Sequence, residues 1–288
     1  MSVPINLIAV QNELGESPLW HPKEQLLYWV DICAHPAIYS YNPASQELRS
    51  TPLSVTLTAL GWRESGGFIA ATRSGFATWR PRTGLILRGN PEADHLNARL
   101  NDGAVDPQGR FWAGSMQVGA QSSSLYRYNT NHTWDQADSG FIVSNGITWS
   151  PDQKTMYVTD SFQHVIYAYN YEASTGSIAN RHVWVDTSAE PGVPDGLTVD
   201  NLGGIWSVFC RGWKIIRYQP SGEKDFEITI PVECPTSLAF GGAALDTLFI
   251  TSSSGLVKPE NRPAQPWAGN LFILQTGFTG LPEPGFRG

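Results

Sequence analysis

Six copies of one short sequence frame run through this chain of 288 residues at nearly even spacing. Each copy begins with a residue whose side chain carries an oxygen atom. The copies are Glu16-Ser17-Pro18-Leu19-Trp20, Thr58-Ala59-Leu60-Gly61-Trp62, Asp102-Gly103-Ala104-Val105-Asp106, Asn145-Gly146-Ile147-Thr148-Trp149, Asp195-Gly196-Leu197-Thr198-Val199 and Thr236-Ser237-Leu238-Ala239-Phe240. Their first positions are separated by 42, 44, 43, 50 and 41 residues. A repeat of this length is typical of propellers, solenoids and arrays.

The fourth repeat has the pattern of four short strands. Residues 155–160 and 165–170 are rich in β-branched and aromatic side chains, which favour strands. Pro151-Asp152 and the segment 174–177 carry turn-forming residues between them. Four antiparallel strands in about 45 residues make one propeller blade. We therefore predict an all-β fold, a six-bladed β-propeller of four-stranded antiparallel blades, with residues 1–288 forming a single domain.

The two ends of the chain predict how the ring closes. The sixth repeat leaves limited sequence for an outer strand, and residues 5–10 precede the first repeat without a blade of their own. An N-terminal strand that completes the last blade would close the propeller and cover edges that otherwise promote aggregation.

Composition narrows the class of partner. Charged residues make up only 16% of the chain and its net charge is −7, which argues against nucleic acid and anionic membranes as partners. No apolar run approaches the length of a membrane span. The three cysteines are odd in number and lack metal-ligand spacing, which favours reduced thiols and a cytoplasmic protein. No signal peptide is evident at the N-terminus, and we expect a monomer or a weak homo-oligomer.

The first residues of the six frames predict a polar ring. The innermost strands of a propeller surround its axial channel, so Glu16, Thr58, Asp102, Asn145, Asp195 and Thr236 are expected around one mouth. Three converging carboxylates resist common ionisation, and a divalent cation would relieve their repulsion. Oxygen ligands suit Ca²⁺, Mg²⁺ or Mn²⁺ and also permit Zn²⁺ or Fe²⁺. The alternative is that these residues cap strands at tight turns, which we favour for the two threonines.

Four segments carry a family resemblance that covers nearly the whole chain. They are residues 14–20, 101–110 (Asn-Asp-Gly-Ala-Val-Asp-Pro-Gln-Gly-Arg), 144–152 and Pro194-Asp195-Gly196-Leu197. In this order and at blade spacing, they resemble the regucalcin/gluconolactonase family, also called senescence marker protein and luciferin-regenerating-enzyme-like. The resemblance implies a six-bladed propeller that hydrolyses sugar lactones to aldonic acids.

The resemblance also implies roles for particular residues. One catalytic divalent ion would be held by Glu16, Asn145 and Asp195, with Asp195 guiding or deprotonating the attacking water. Arg99 and Asn101 would contact the sugar hydroxyls, and Asp102 would be a further pocket carboxylate.

One position departs from the family pattern and leaves the sugar preference open. Many relatives carry an acid just after the Gly-Thr-Met of the third blade, whereas Gly114-Ser115-Met116 is followed here by Gln117. Two alternatives remain on the same scaffold: a metal-dependent organophosphate or aryl-ester hydrolase, and a non-enzymatic calcium-binding propeller. The proximity of Arg99 and Asn101 to the acidic frames favours a polyhydroxylated substrate.

Overall fold

The fold is built from short antiparallel strands. A computed structural model of the chain describes residues 5–95, 97–117 and 122–288. Within them, 24 strands form six sheets of four strands.

The first strand, β1, spans Ile5–Ile8. Blade 1 consists of β2 (Gly15–His21), β3 (Leu26–Asp31), β4 (Ala37–Asn42) and β5 (Glu47–Pro52). Blade 2 consists of β6 (Leu57–Trp62), β7 (Phe68–Thr72), β8 (Gly75–Arg80) and β9 (Gly84–Gly89). Blade 3 consists of β10 (Ala98–Val105), β11 (Phe111–Gln117), β12 (Ser123–Tyr128) and β13 (Trp134–Phe141). Blade 4 consists of β14 (Ser144–Trp149), β15 (Thr155–Asp160), β16 (Val165–Glu172) and β17 (Ser177–Asp186). Blade 5 consists of β18 (Val193–Val199), β19 (Ile205–Cys210), β20 (Lys214–Tyr218) and β21 (Lys224–Thr229). Blade 6 consists of β22 (Pro235–Gly241), β23 (Thr247–Ser252), β24 (Leu271–Gln275) and β1.

This arrangement confirms the predicted six-bladed propeller, including its closure. Strand β1 pairs antiparallel with β24, from Ile5 opposite Leu274 to Ile8 opposite Leu271. The outermost strand of blade 6 therefore comes from the N-terminus while the other three come from the C-terminal part of the chain.

Burial falls from the axis outwards. All six residues of β6 are buried, whereas all six residues of β5, an outermost strand, are exposed. Inner strands are covered on both faces by the neighbouring blades, so apolar and aromatic side chains fill the space between sheets. Between blades 3 and 4, for example, Trp112 packs edge-on against Trp149 and Tyr171. Such aromatic contacts add to the burial of apolar area.

The C-terminal segment crosses the mouth of the channel at the C-terminal ends of the innermost strands, which is the mouth opposite the first residues of the repeated frames. Gly280 forms an isolated bridge with Asp200 of blade 5, and Phe286 forms one with Arg63 of blade 2. Behind this segment, an axial cavity of about 350 Å³ extends along the inner strands and is lined by Asp102 and Glu283, among others. The described residues contain a single short 3-10 helix, at residues 259–264, and no helix among them is long and apolar enough to cross a membrane.

Candidate active site at the axial mouth

Every innermost strand has an irregularity in its pairing at the repeated frame. The shifts in register fall between Glu16 and Leu19, Leu57 and Ala59, Leu100 and Gly103, Ser144 and Ile147, Pro194 and Leu197, and Pro235 and Leu238. A bulge leaves one residue unpaired and changes the direction of its side chain. Since the shifts occur at the same height in all six blades, the first residues of the frames share one mouth of the channel.

Three carboxylates from different blades interact at this mouth. Burial, followed by the charges of Asp195 and Asp102, raises the pKa of Glu16 well above its usual range. Burial and the charge of Asp102 also raise the pKa of Asp195 well above its usual range. Burial raises the pKa of Asp102 to about 6, against a hydrogen bond from the Gly103 N–H. The predicted acidic ring is therefore an electrostatically unfavourable cluster that a cation would stabilise.

The glycines that follow these residues serve close packing rather than turns. Gly146 and Gly196 lie inside β14 and β18, and neither has a left-handed backbone. A Cβ atom on Gly146 would lie 2.6 Å from the carbonyl oxygen of Asp195, and one on Gly196 would lie 2.3 Å from Oγ of Ser237. Neighbouring inner strands approach so closely that only glycine fits. The tight-turn interpretation is wrong for these frames.

Hydrogen bonds determine which way the Asn145 amide points. The hydroxyl of Ser161 donates to the carbonyl oxygen of Pro194 at 2.6 Å, so Oγ of Ser161 accepts from Nδ2 of Asn145 at 2.7 Å. With its nitrogen directed at Ser161, Asn145 presents Oδ1 on the other side, where it accepts from Nδ2 of Asn101 at 2.6 Å. Ser161 thus links the frame of Asn145 to the residue that precedes Asp195.

Asn101 and Arg99 lie beside this group on β10. Nδ2 of Asn101 also donates to the carbonyl oxygen of Ser144 at 3.0 Å, so its two amide hydrogens are used and its own oxygen remains as an acceptor. Burial lowers the pKa of Arg99 to about 10, while the neighbouring Glu16 carboxylate opposes that shift. Among the described residues, Arg99 is the cationic side chain whose charge lowers the pKa of Glu16.

The two threonine frames hold the scaffold together. Oγ1 of Thr58 donates to the carbonyl oxygen of Leu100 at 3.0 Å. Oγ1 of Thr236 donates to the carbonyl oxygen of Gly15 at 2.5 Å. Both threonines are almost fully buried, and each joins its blade to the inner strand of the next. These bonds tie down the backbone immediately beside Asn101 and Glu16, which agrees with the expectation that the threonines are structural.

The donor set at the mouth fits a hard divalent cation. Among the described residues, no group of three or more His, Cys, Asp or Glu side chains is suited to hold a metal ion by itself. An ion at this mouth therefore needs a neutral oxygen in addition to the carboxylates of Glu16 and Asp195. The oriented amide oxygen of Asn145 provides one, and the repulsion among the carboxylates favours a bound positive charge.

Two residues near the site were not found from the sequence. Ser161 follows β15, and Arg73 follows β7, so both lie in connections between second and third strands and outside the repeated frame. Neither belongs to a motif that could have indicated it. Gln117, the predicted departure, ends β11 and lies opposite Ala98, next to Arg99 in the chain.

Comparison with known proteins assigns this chain to a family. The family model described as "SMP-30/Gluconolactonase/LRE-like region" matches residues 14–254. A 6-deoxy-6-sulfogluconolactonase from Pseudomonas putida is 36% identical over 96% of this chain and 95% of that protein. The pentonolactonase XacC from Haloferax volcanii is 31% identical over 94% of this chain and 93% of that protein. A crystal structure described as a calcium-binding protein, regucalcin, from Agrobacterium tumefaciens superposes with a TM-score of 0.91 at 26% identity, over 96% of this chain and 95% of that one. This protein is therefore a member of the SMP-30/gluconolactonase/LRE-like family.

Proposed function

We propose that this protein is a divalent-metal-dependent hydrolase that opens sugar lactones to aldonic acids. The observation that carries the proposal is the acidic cluster at the axial mouth, where burial and the charges of Asp195 and Asp102 raise the pKa of Glu16, and burial and the charge of Asp102 raise the pKa of Asp195. Such a cluster is costly in the folded state without a compensating positive charge, and perturbed carboxylates in a cleft are typical of active sites.

The relatives support the same class of substrate. Two of them are named for lactone hydrolysis, and they match this chain over more than nine-tenths of its length. The structure of the Agrobacterium protein is described as calcium-binding, which supports a cation at the mouth. We infer that Glu16, Asn145 and Asp195 hold the ion. Their oxygens suit Ca²⁺, Mg²⁺ or Mn²⁺ and permit Zn²⁺ or Fe²⁺.

The protein's own residues would bind the lactone and move the proton. A bound divalent ion supplies a Lewis acid that polarises a carbonyl group. Asp195 has two carboxylate oxygens, so one can face the ion while the other accepts a proton from the attacking water. The amide oxygen of Asn101 is free to accept a hydrogen bond from a sugar hydroxyl. Arg99 would orient the ring by donating to further hydroxyls, and Asp102 would be a third polar group beside it.

The test is hydrolysis measured by proton release on a panel of aldonolactones, with EDTA and after the return of each candidate ion. We expect turnover that EDTA abolishes and an ion restores. Asp195→Ala should lose both ion binding and turnover, and Asn101→Ala should lower kcat or raise KM while the ion still binds. Full lactonase activity in Asp195→Ala would refute the assignment.

The same assay separates the alternatives. Turnover of aryl esters or organophosphates but of no lactone would favour the second hydrolase class. Ion binding without turnover of any substrate would favour a calcium-binding propeller. We also infer a reducing, cytoplasmic setting, because Cys33, Cys210 and Cys234 are all free thiols, and we expect a monomer or weak homo-oligomer.

A further inference from the structure

Two arginines border a second cavity beside the acidic cluster. This cavity has a volume of about 300 Å³ and is lined by Arg73, Asn97, Ala98, Arg99 and Met116. Arg99 lies on β10 of blade 3, two residues before Asn101. Arg73 is exposed in the turn between β7 and β8 of blade 2. The two arginines therefore line the same space from adjacent blades.

Among the described residues, neither guanidinium has a carboxylate partner in contact. Arg99 donates a hydrogen bond to the carbonyl oxygen of Leu100 at 3.1 Å. Within residues 5–95, 97–117 and 122–288, Arg73 makes no hydrogen bond or ion pair. The remaining residues of the chain include no Asp or Glu. Arg110, by contrast, forms an ion pair with Asp106 at 2.6 Å.

The charges of the two arginines repel each other. Burial is the main cause that lowers the pKa of Arg99; the charge of Arg73 adds to this shift, and the carboxylate of Glu16 in the acidic cluster opposes it more strongly than Arg73 adds to it. The other residues that line the cavity are neutral, and the neighbouring position 117 carries an amide. Two guanidinium groups at one cavity match the geometry of a carboxylate, phosphate or sulfonate, which they can bind through paired hydrogen bonds.

We propose that Arg73 and Arg99 form a subsite for a second anionic group of the substrate. The preferred lactones would then carry a carboxylate, phosphate or sulfonate at the end of the sugar away from the lactone group. This inference rests on the proposed lactonase function for its reaction, but the anion subsite can be tested without turnover. Arg73 would be the residue that determines specificity, because it contributes only to the charged group.

The first test is binding of a sugar that contains no lactone. Isothermal titration with D-glucose 6-phosphate and with D-glucose would be carried out on the full-length protein, with the same divalent ion present throughout. We expect the phosphorylated sugar to bind at least about tenfold more tightly, and Arg73→Gln to remove roughly tenfold, the effect of one charge-assisted hydrogen bond. Arg73→Lys should retain part of the preference because it keeps the charge.

A matched control is available in the same blade. Arg82 is also exposed, and it lies in the turn between β8 and β9 at the opposite end of the strands. Arg82→Gln should bind both sugars as the unaltered protein does. Equal binding of the two sugars by the unaltered protein, or an equal loss in Arg82→Gln, would overturn the subsite, since the preference would then be absent or would reflect net charge alone.

The second test uses turnover and identifies the anion. The kcat/KM values would be compared for gluconolactone and for its analogues with a carboxylate, a phosphate or a sulfonate at C6. We expect Arg73→Gln to lower kcat/KM roughly tenfold for at least one charged lactone and to leave gluconolactone unchanged. Anion-selective binding without turnover of any lactone would support the subsite and refute the lactonase. Turnover that is insensitive to Arg73→Gln for every lactone would refute the subsite and leave the lactonase standing.

Discussion

Ser161→Ala is the substitution that tests most directly how the candidate site is held. Ser161 is 3% exposed, and its hydroxyl joins two frames of the ring. It donates to the carbonyl oxygen of Pro194 at 2.6 Å and accepts from Nδ2 of Asn145 at 2.7 Å. The alanine variant leaves both groups without this partner and frees the Asn145 amide to rotate.

The structure sets the scale of the effect. A buried polar group left without a partner costs about 1–3 kcal/mol, so the two groups together should lower the free energy of unfolding by about 2–6 kcal/mol. Loss of a residue that orients a metal ligand costs roughly 10–100-fold in metal affinity or activity. We therefore expect ion affinity and kcat/KM to fall by at least about tenfold.

The assay is a competitive chelator titration for ion affinity, combined with thermal unfolding in EDTA and lactone hydrolysis. Ser252→Ala is the matched control, because the Ser252 hydroxyl is equally buried and donates to the carbonyl oxygen of Asn270, also at 2.6 Å. It should lose stability but keep ion affinity. Ser161→Thr, which retains a hydroxyl, should recover part of the affinity. Equal ion affinity in the unaltered protein and in Ser161→Ala, or an equal loss in Ser252→Ala, would refute the reasoning.

Glu283, the closing strand β1 and the bound ion each give a further prediction. Burial raises the pKa of Glu283, which lines the axial cavity, to about 7. The neutral carboxyl group therefore stabilises the fold fully below about pH 4.3, and this contribution is lost as the pH rises through 7. Glu283→Gln should therefore raise the melting temperature relative to the unaltered protein at pH 8 but not at pH 4, and an equal difference at both pH values would contradict this sign. Removal of residues 1–11 deletes β1 and exposes the edge of β24, so we expect lower thermal stability and concentration-dependent aggregation in light scattering; an unchanged melting temperature would count against closure as a stabilising feature. An ion at about 100 times its Kd should add about 2.7 kcal/mol to the free energy of unfolding, and this gain should be absent in Asp195→Ala; a similar gain in both proteins would mean that the ion binds elsewhere.

The architecture was accessible from the sequence because its evidence is local. Repeat length determines the number of blades, and strand and turn residues are recognisable within each repeat. The closing strand was predicted from a simple count, since the last repeat was short and residues 5–10 were unassigned. The pairing of β1 with β24 confirms that prediction.

The interpretation of individual frames was less complete. Asp-Gly and Asn-Gly pairs are common in turns, but here Gly146 allows the inner strand of one blade to lie against that of the next. Thr58 and Thr236 occupy the same frame position as the acids, yet their hydroxyls bond to backbone carbonyls of adjacent blades. Residue type alone could not distinguish these uses, because the difference lies in which strand faces each position.

Ser161 and Arg73 could not be predicted from the sequence. Both lie in connections whose lengths and residues vary between blades, so no period indicates them. Their importance depends on neighbours from other blades, such as Pro194 for Ser161 and Arg99 for Arg73.

Blade number, ring closure and the identity of the acidic frames could thus be read from the chain alone, because repeat length and residue type are local properties. The partners of each side chain could not, because closure of the ring joins positions far apart in sequence. Thr236 and Gly15 are 221 residues apart in the chain, yet Oγ1 of Thr236 lies 2.5 Å from the carbonyl oxygen of Gly15, beside Glu16. Contacts of that kind determine the direction of the Asn145 amide, the repulsion among the carboxylates and the proximity of the two arginines.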